Sequence, residues 1–153
     1  MKRITYWPQL FLGLTFNWGV VMAWTAVTNT VSVEIFTLYV SAIFWTLGYD
    51  TIYGTQDIVD DEIIGIKSTS IKFKNNIKIF VSFCYCASSI LIFFLFNNKL
   101  GLNNFTLVIF IYVLSLMYQV LIFKKNDSQK CLQAFKFNNL SGLFLFCGIV
   151  LIN

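Results

Sequence analysis

The sequence predicts an all-α integral membrane protein, a bundle of about five transmembrane helices. Apolar residues make up 58% of the 153 residues, charged residues only 12%, and the mean hydropathy is +0.73. A soluble domain is about 45–50% apolar and about 25% charged, so this chain lacks the charge to cover a surface in water. A disordered chain is excluded because it requires low hydrophobicity. With a net charge of +4 and no basic cluster among aromatic residues, the sequence has no signature of nucleic-acid binding.

Apolar runs predict where the chain crosses the lipid bilayer, since a span requires about 20 residues, with a range of about 17–25. The predicted spans lie at 10–27, 35–49, 77–96, 105–123 and 135–152. The second is short, and the fifth reaches a sufficient length only by including polar residues at its start. The first is too long for the apolar part of a signal peptide, and no Ala-x-Ala site follows it. We therefore expect one membrane domain over residues 1–153.

Asn17 is a polar residue in the middle of the first span. It either bonds to a neighbouring helix or faces a site inside the bundle, and the first role is the more common for an intramembrane amide.

The distribution of basic residues predicts the orientation in the membrane. If the five spans alternate, 10 of the 11 Lys and Arg residues lie on the side of the N-terminus and of the loops at 50–76 and 124–136. Lys99 is the remaining one. Cytoplasmic loops carry an excess of Lys and Arg. We therefore expect a multi-pass protein of the cell inner (plasma) membrane with both loops in the cytoplasm.

The loop after the second span contains the candidate chemistry, because five of the seven acidic residues lie between positions 50 and 62. Asp57 and Asp61 are four residues apart, so on a helix they lie on one face, one turn apart. Asp50 lies seven residues before Asp57, on the same face if the helix continues. Carboxylate oxygens suit Mg²⁺, which proteins usually hold through one or two carboxylates together with substrate phosphates.

The segment directly downstream, Gly65-Ile-Lys-Ser-Thr-Ser70, suits a phosphate ligand. Lys67 is placed to meet a phosphate oxygen as a point charge, with Ser68 and Thr69 as hydroxyl donors. From spacing alone, a solvated loop on the cytoplasmic face explains the acidic residues about equally well. Isoleucine, valine and tyrosine residues alternate with the acids, however, and this is typical of an amphipathic segment at the mouth of a helix bundle.

These residues resemble a known motif. Gly48-Tyr-Asp-Thr-Ile-Tyr, followed by Gln-Asp-x-x-Asp-Asp and Gly-Ile-Lys-Ser-Thr, resembles the second aspartate-rich motif of the UbiA family of intramembrane prenyltransferases. Within the family the sequence is most similar to the 4-hydroxybenzoate polyprenyltransferases. The opening Met1-Lys-Arg-x-Thr-x-Trp-Pro-Gln-x-x-Leu-Gly13 and the following Phe16-Asn-Trp-Gly19 resemble the segment that begins the second half of the family's bundle.

The resemblance implies a reaction and a set of site residues. Family members bind a polyprenyl diphosphate through Mg²⁺ held by two aspartate-rich motifs, and an aromatic ring, here that of 4-hydroxybenzoate, attacks as the diphosphate leaves. The match assigns Asp57 and Asp61 as catalytic metal ligands, Asp50 and Asp60 as further metal ligands, and Lys67 and Arg3 as diphosphate-binding residues. The implied pathway is ubiquinone synthesis.

The chain departs from the family pattern in one respect. The family fold has nine helices, with a first aspartate-rich motif of the type Asn-Asp-x-x-Asp-x-x-x-Asp between early helices, and this sequence contains no such motif. We therefore expect the C-terminal part of a truncated or split enzyme, which either pairs with a separate N-terminal chain carrying the first motif or is an inactive remnant. The alternative function is that of a non-enzymatic small membrane subunit whose acidic loop binds a cation.

Overall fold

The computed structural model describes residues 1–152, and its regular structure is helical. The helices are α1 (Pro8–Phe16), α2 (Trp18–Thr28), α3 (Val33–Tyr53), α4 (Ile58–Ile64), α5 (Thr69–Lys72), α6 (Ile77–Leu95), α7 (Asn104–Ile122) and α8 (Ser128–Val150), with a 3₁₀ turn at Asn97–Lys99. Four stretches are long and apolar enough to cross a membrane, namely Pro8–Thr28, Val33–Tyr53, Ile77–Leu95 and Asn104–Ile122. The prediction of an all-α membrane bundle is therefore confirmed.

The first membrane-crossing stretch is broken into two helices at Asn17, which the apolar pattern does not predict. The Nδ2 atom of Asn17 donates to the carbonyl oxygen of Gly13 over 2.8 Å and to Oγ1 of Thr46 over 2.8 Å. Because the side chain bonds a carbonyl of α1, it competes with the regular helical hydrogen bonds at this point. The prediction that Asn17 bonds to a neighbouring helix is confirmed.

Two helices differ in length from the apolar runs that predict them. The helix α3 continues to Tyr53, so Asp50 lies within its last turn and not in a loop. The helix α8 begins at Ser128, seven residues before the predicted start of the fifth span. With 23 residues α8 is long enough to cross a membrane, but its polar first turns keep it below the hydropathy that the other four stretches reach. The fifth membrane crossing stays a prediction.

The helix α3 lies at the centre of the bundle. It packs most extensively against α6, and it also contacts α1, α2 and α8, while α7 packs mainly against α8. The largest group of buried apolar side chains joins α3, α6, α7 and α8, and comprises Ile52, Ile58, Ile77, Val81, Tyr85, Tyr112, Leu116, Phe123, Cys131 and Ala134. Burial of these side chains between helices fixes the position of the carboxyl end of α3, where the acidic segment begins.

The segment between α3 and α6 is an ordered pair of short helices. Helix α4 ends at Gly65, whose φ of 75° lies in the left-handed region that favours glycine. Helix α5 begins after Ser68, whose Oγ accepts a hydrogen bond from the backbone N–H of Ile71 over 3.2 Å. The turn at Gly65 reverses the chain, so that the residues after it run back along the N-terminal segment.

Candidate active site at the rim of the bundle

Asp57 and Asp61 lie one turn apart at the start of α4. The backbone N–H of Asp61 donates to the carbonyl oxygen of Asp57 over 2.8 Å, as the four-residue spacing predicts for a helix. Asp57 is exposed, whereas Asp61 is only 8% exposed. Among residues 1–152, the carboxylate of Asp61 has no hydrogen-bond or ion-pair partner. Its oxygens are not among the fully buried polar atoms, so a cation that approaches the rim could still reach them.

The other two predicted metal ligands are less closely associated with this pair. Asp60 is exposed, and Asp50 is half-buried on the last turn of α3, where its carboxylate interacts electrostatically with Lys2. Within the described part of the chain, no group of three or more His, Cys, Asp or Glu side chains lies close enough to hold a metal ion. Three of the four predicted ligands thus lie at the start of α4, where Asp57 and Asp61 have the four-residue spacing, and Asp50 lies on α3.

The N-terminal basic segment is attached to the loop that carries Lys67. The backbone N–H of Lys67 donates to the carbonyl oxygen of Lys2 over 2.6 Å, and Lys67 Nζ donates to the carbonyl oxygen of Ile4 over 3.4 Å. Arg3 is exposed between these two attachment points. The N–H of the preceding Ile66 donates to the carbonyl oxygen of Asp61 over 2.8 Å. The segments that carry Arg3, Lys67 and Asp61 are therefore connected by backbone hydrogen bonds.

The serine and threonine residues of the 65–70 segment are buried, which corrects the expectation that their hydroxyls bind a phosphate. Ser68 and Thr69 are 1% and 0% exposed. The hydroxyl of Ser68 caps α5, and Oγ1 of Thr69 shares a 2.7 Å hydrogen bond with Oγ1 of Thr51 in α3. These hydroxyls hold the segment against the bundle, so Lys67 is the group of this segment that remains for an anion.

Gln9 is a buried residue to which the sequence assigns no role. Its Oε1 accepts a hydrogen bond from the backbone N–H of Thr69 over 3.0 Å, and its side chain is 4% exposed. Ser70 donates to the carbonyl oxygen of Thr51 over 2.8 Å beside it. A Cβ atom added at Gly54 would lie 2.7 Å from Ser70 Oγ and 3.3 Å from Gln9 Nε2, so glycine permits this close approach. The one sequence signal was an amide directly after Pro8 in an apolar run.

Comparison with known proteins identifies the family. Residues 1–144 match the model of the UbiA prenyltransferase family. The chain belongs to this family.

Relatives within the UbiA family carry the name 4-hydroxybenzoate polyprenyltransferase, mitochondrial. The protein from Bos taurus is 41% identical over 155 residues, and the one from Homo sapiens is 38% identical over 160 residues. Each comparison covers 100% of this chain and 42% of the relative. The Arabidopsis thaliana protein is 51% identical over 83 residues, which is 54% of this chain and 20% of that protein. The chain thus spans less than half the length of these relatives. No solved structure matches it.

The carboxylates at the rim fit a divalent cation that takes further ligands from elsewhere. Asp57 and Asp61 supply oxygen donors one turn apart, and the carboxylate of Asp61 has no other partner among the described residues. Mg²⁺ typically takes one or two carboxylates and fills its remaining positions with water and substrate phosphates. For a UbiA family member, the residues present are therefore a suitable part of a magnesium site.

A second buried polar network lies deeper in this UbiA-type bundle. The hydroxyl of Tyr85 in α6 donates to Gln119 Oε1 in α7 over 2.7 Å, and Gln119 Nε2 donates to Ser141 Oγ in α8 over 2.8 Å. Ser115 also donates to Ser141 Oγ over 2.7 Å. Gln119 and Ser141 are each 0% exposed. Because its residues come from three helices, this network fixes how α6, α7 and α8 pack against one another.

Proposed function

We propose that this chain takes part in the Mg²⁺-dependent transfer of a polyprenyl group from a polyprenyl diphosphate to 4-hydroxybenzoate, in ubiquinone biosynthesis. Membership of the UbiA family and the names of its relatives support this proposal. The observation that carries it is the unpartnered carboxylate of the largely buried Asp61, one turn from Asp57 and linked through Ile66 to Lys67 and the N-terminal basic segment. Such a site combines acids for a cation with cations for a diphosphate.

Each rim residue has a distinct role in this proposal. Asp57 and Asp61 supply oxygens to Mg²⁺, with Asp50 and Asp60 as further acids. Bound Mg²⁺ would neutralise the negative charge that develops on the leaving diphosphate. Lys67 and Arg3 bind the outer diphosphate oxygens through charge-assisted hydrogen bonds, which hold the leaving group at the rim.

The transfer exchanges one bond for another. The C–O bond between the allylic carbon and the diphosphate breaks, and its electron pair leaves with the diphosphate. A new C–C bond forms from the ring carbon ortho to the hydroxyl of the acceptor, and that carbon then loses its proton. The apolar outer faces of the spans suit the polyprenyl tail, because burial of hydrocarbon away from water is favourable.

One acidic pair is too small a ligand set for the metals that such a reaction uses. We therefore propose that activity requires a second aspartate-rich segment, supplied by the same polypeptide or by a separate N-terminal chain. The 42% coverage of the bovine and human relatives supports this, since most of their length lies outside the matched region.

We further propose that the rim faces the cytoplasm from the inner (plasma) membrane. The excess of Lys and Arg on that side supports the orientation. The relatives compared above are named as mitochondrial. In a eukaryotic cell the corresponding location is therefore a mitochondrial membrane, with the acidic rim again in contact with water.

Reconstituted prenyl transfer tests the proposal. Membranes containing this chain and the unmatched part of the bovine relative are given a polyprenyl diphosphate, ring-labelled 4-hydroxybenzoate and Mg²⁺, and the prenylated product is measured. We expect product only when both polypeptides are present, and none after chelation of Mg²⁺. Asp61→Asn should lower the rate by ~100-fold or more, the size seen when a group that stabilises developing charge is removed.

The matched control is Glu34→Gln, which neutralises an exposed carboxylate at the opposite end of α3 from Asp50. We expect it to retain the full rate. If Asp61→Asn is as active as the unmodified chain, the assignment of Asp61 as a metal ligand is wrong. If no combination yields product while all polypeptides insert, the proposed transfer is wrong, and a cation-binding subunit becomes the better interpretation.

A further inference from the structure

The outward side of α8 differs in composition from the outward sides of its neighbours. The exposed side chains along α6 and α7 are almost all apolar, and include Ile79, Phe83, Ile90, Phe94, Leu107, Phe110, Leu114, Met117 and Leu121. The outer face of α8 forms a groove lined by Gln129, Leu132, Gln133, Lys136, Phe137, Asn139, Leu140 and Leu143, in the three- and four-residue spacing of one helix side. Four of these eight side chains are polar.

Contacts between α7 and α8 show where the outer face of α8 lies along the membrane-crossing stretch of α7. The two helices are antiparallel, because Cys131 contacts the carbonyl of Lys124 near one end and Gly148 approaches Ile109 near the other. Asn139 lies between Phe137, whose ring is 4.9 Å from that of Tyr118, and Ser141, which bonds Ser115.

Asn139 is therefore level with α7 residues 115–118, inside the membrane-crossing stretch Asn104–Ile122. Lys136 lies about one turn nearer the rim on the same helix. The polar face thus reaches into the depth of the bilayer.

Polar side chains at that depth are unfavourable in contact with lipid. Within residues 1–152, the side chains of Gln133, Lys136 and Asn139 have no hydrogen-bond or ion-pair partner. A lysine near the rim can extend its ammonium group to the headgroups, but the short asparagine cannot. Ionisable and amide side chains within spans usually face other helices or water.

Rotation of α8 cannot hide this face, because its opposite side is already packed. Ala134, Ser141 and Gly148 are buried against the rest of the bundle, and Ser141 is held by bonds from Ser115 and Gln119. Turning the helix would break this network and expose the buried side. The polar side chains of this face therefore lie against another helix or water outside the described residues.

We propose that the outer face of α8 is the docking surface for another membrane-spanning helix, one that presents amide side chains to Asn139 and an acidic side chain to Lys136. This inference rests on the proposed function, since the helix belongs to the part of the relatives' length that this chain does not match. The charge of Lys136 favours an acidic group opposite it. An amide at Asn139 favours a partner that bonds within the membrane.

Site-specific crosslinking tests this surface without relying on activity. A photo-crosslinking amino acid is placed at Asn139 or, as the control, at Phe83, which is 62% exposed on the apolar side of α6. Each variant is expressed with the tagged unmatched part of the bovine relative. We expect a crosslink to that polypeptide from position 139 and crosslinks only to lipid from position 83.

A second variant measures what the polar groups contribute. The double substitution Lys136→Leu and Asn139→Leu should lower co-purification of the partner by about tenfold, because that is the change in affinity expected from the loss of intramembrane hydrogen bonds. Phe83→Ala should leave co-purification unchanged. Three outcomes would overturn the proposal. The first is crosslinking of position 139 to lipid, and the second is that the unmodified chain does not co-purify with the partner. The third is rapid reaction of Asn139→Cys with a water-soluble maleimide in the complex. Loss of prenyl transfer with these contacts intact would count only against the proposed function.

Discussion

Asn17 Nδ2 donates to Thr46 Oγ1 over 2.8 Å, and this bond joins the break in the first membrane-crossing stretch to the middle of α3. The same nitrogen also lies 3.3 Å from the carbonyl oxygen of Ala42. One amide therefore ends α1, begins α2 and attaches both to the central helix. The position of α1 matters for the site because α1 carries Gln9, which holds the backbone of Thr69.

Asn17→Leu should lower the free energy of unfolding by about 0.5–1.5 kcal/mol, the range measured for hydrogen bonds between membrane helices. Unfolding in mixed detergent micelles measures the change. The control is Thr25→Val, because the hydroxyl of Thr25 bonds only carbonyls of its own helix, those of Val21 and Met22. Equal stability of Asn17→Leu and the unmodified chain would contradict the role of this bond.

Gly48→Ala should destabilise the contact between α3 and α6 by about 1–3 kcal/mol, because an added methyl group overpacks the core. A Cβ atom at Gly48 would overlap the ring of Tyr85, which is fixed by its bond to Gln119. The matched control is Gly19→Ala in α2, where a Cβ atom meets nothing within 4 Å. That substitution should leave stability unchanged or raise it by up to ~1 kcal/mol through helix propensity. A destabilisation of similar size in both variants would rule out this explanation.

Tyr85→Phe should cost about 1–3 kcal/mol of stability, since it leaves the buried Oε1 of Gln119 without a donor. The double variant Tyr85→Phe with Gln119→Leu should lose less than the sum of the two single losses, because it removes both partners. A double-mutant cycle on thermal unfolding measures this coupling. Tyr118→Phe, at a tyrosine that is 43% exposed, serves as the control. Additive losses would show that Tyr85 and Gln119 are not coupled.

Lys67→Met should raise the KM for the polyprenyl diphosphate in the reconstituted reaction by at least about tenfold, since charge-assisted contacts contribute about 1.5–3 kcal/mol. Lys78→Met is the matched control, because Lys78 is an exposed lysine on the same predicted side of the membrane. It should leave the KM unchanged. A fall in kcat with no change in KM for Lys67→Met would argue against a contact to the diphosphate in the bound substrate.

The main helices could be predicted from the sequence because a membrane span requires only a long apolar run. The four stretches that can cross the membrane overlap the first four predicted spans. The pairing of Asp57 and Asp61 likewise follows from helical spacing. The break at Asn17 could not be predicted, because it depends on which partner its amide finds on α3, 29 residues away.

The burial of Ser68 and Thr69 could not be predicted for a related reason. Serine and threonine next to a lysine on a polar segment usually face water, and local sequence contains no sign of the partner that buries them. For Thr69 the partners are Gln9, which is 60 residues away and bonds its backbone N–H, and Thr51, which is 18 residues away and bonds its hydroxyl. The start of α8 was missed because its early turns are polar, and an apolar-run criterion excludes a helix that begins outside the lipid.

A membrane-crossing stretch of two short helices joined at Asn17 responds differently to bilayer thickness than one straight helix does. A straight helix must tilt as a whole when the hydrocarbon layer thins. Here α1 is held at the acidic segment by Gln9, and Asn17 attaches the junction of α1 and α2 to α3. Because the helix is broken at Asn17, no continuous helix joins α2 to Gln9 and the segment that Gln9 holds.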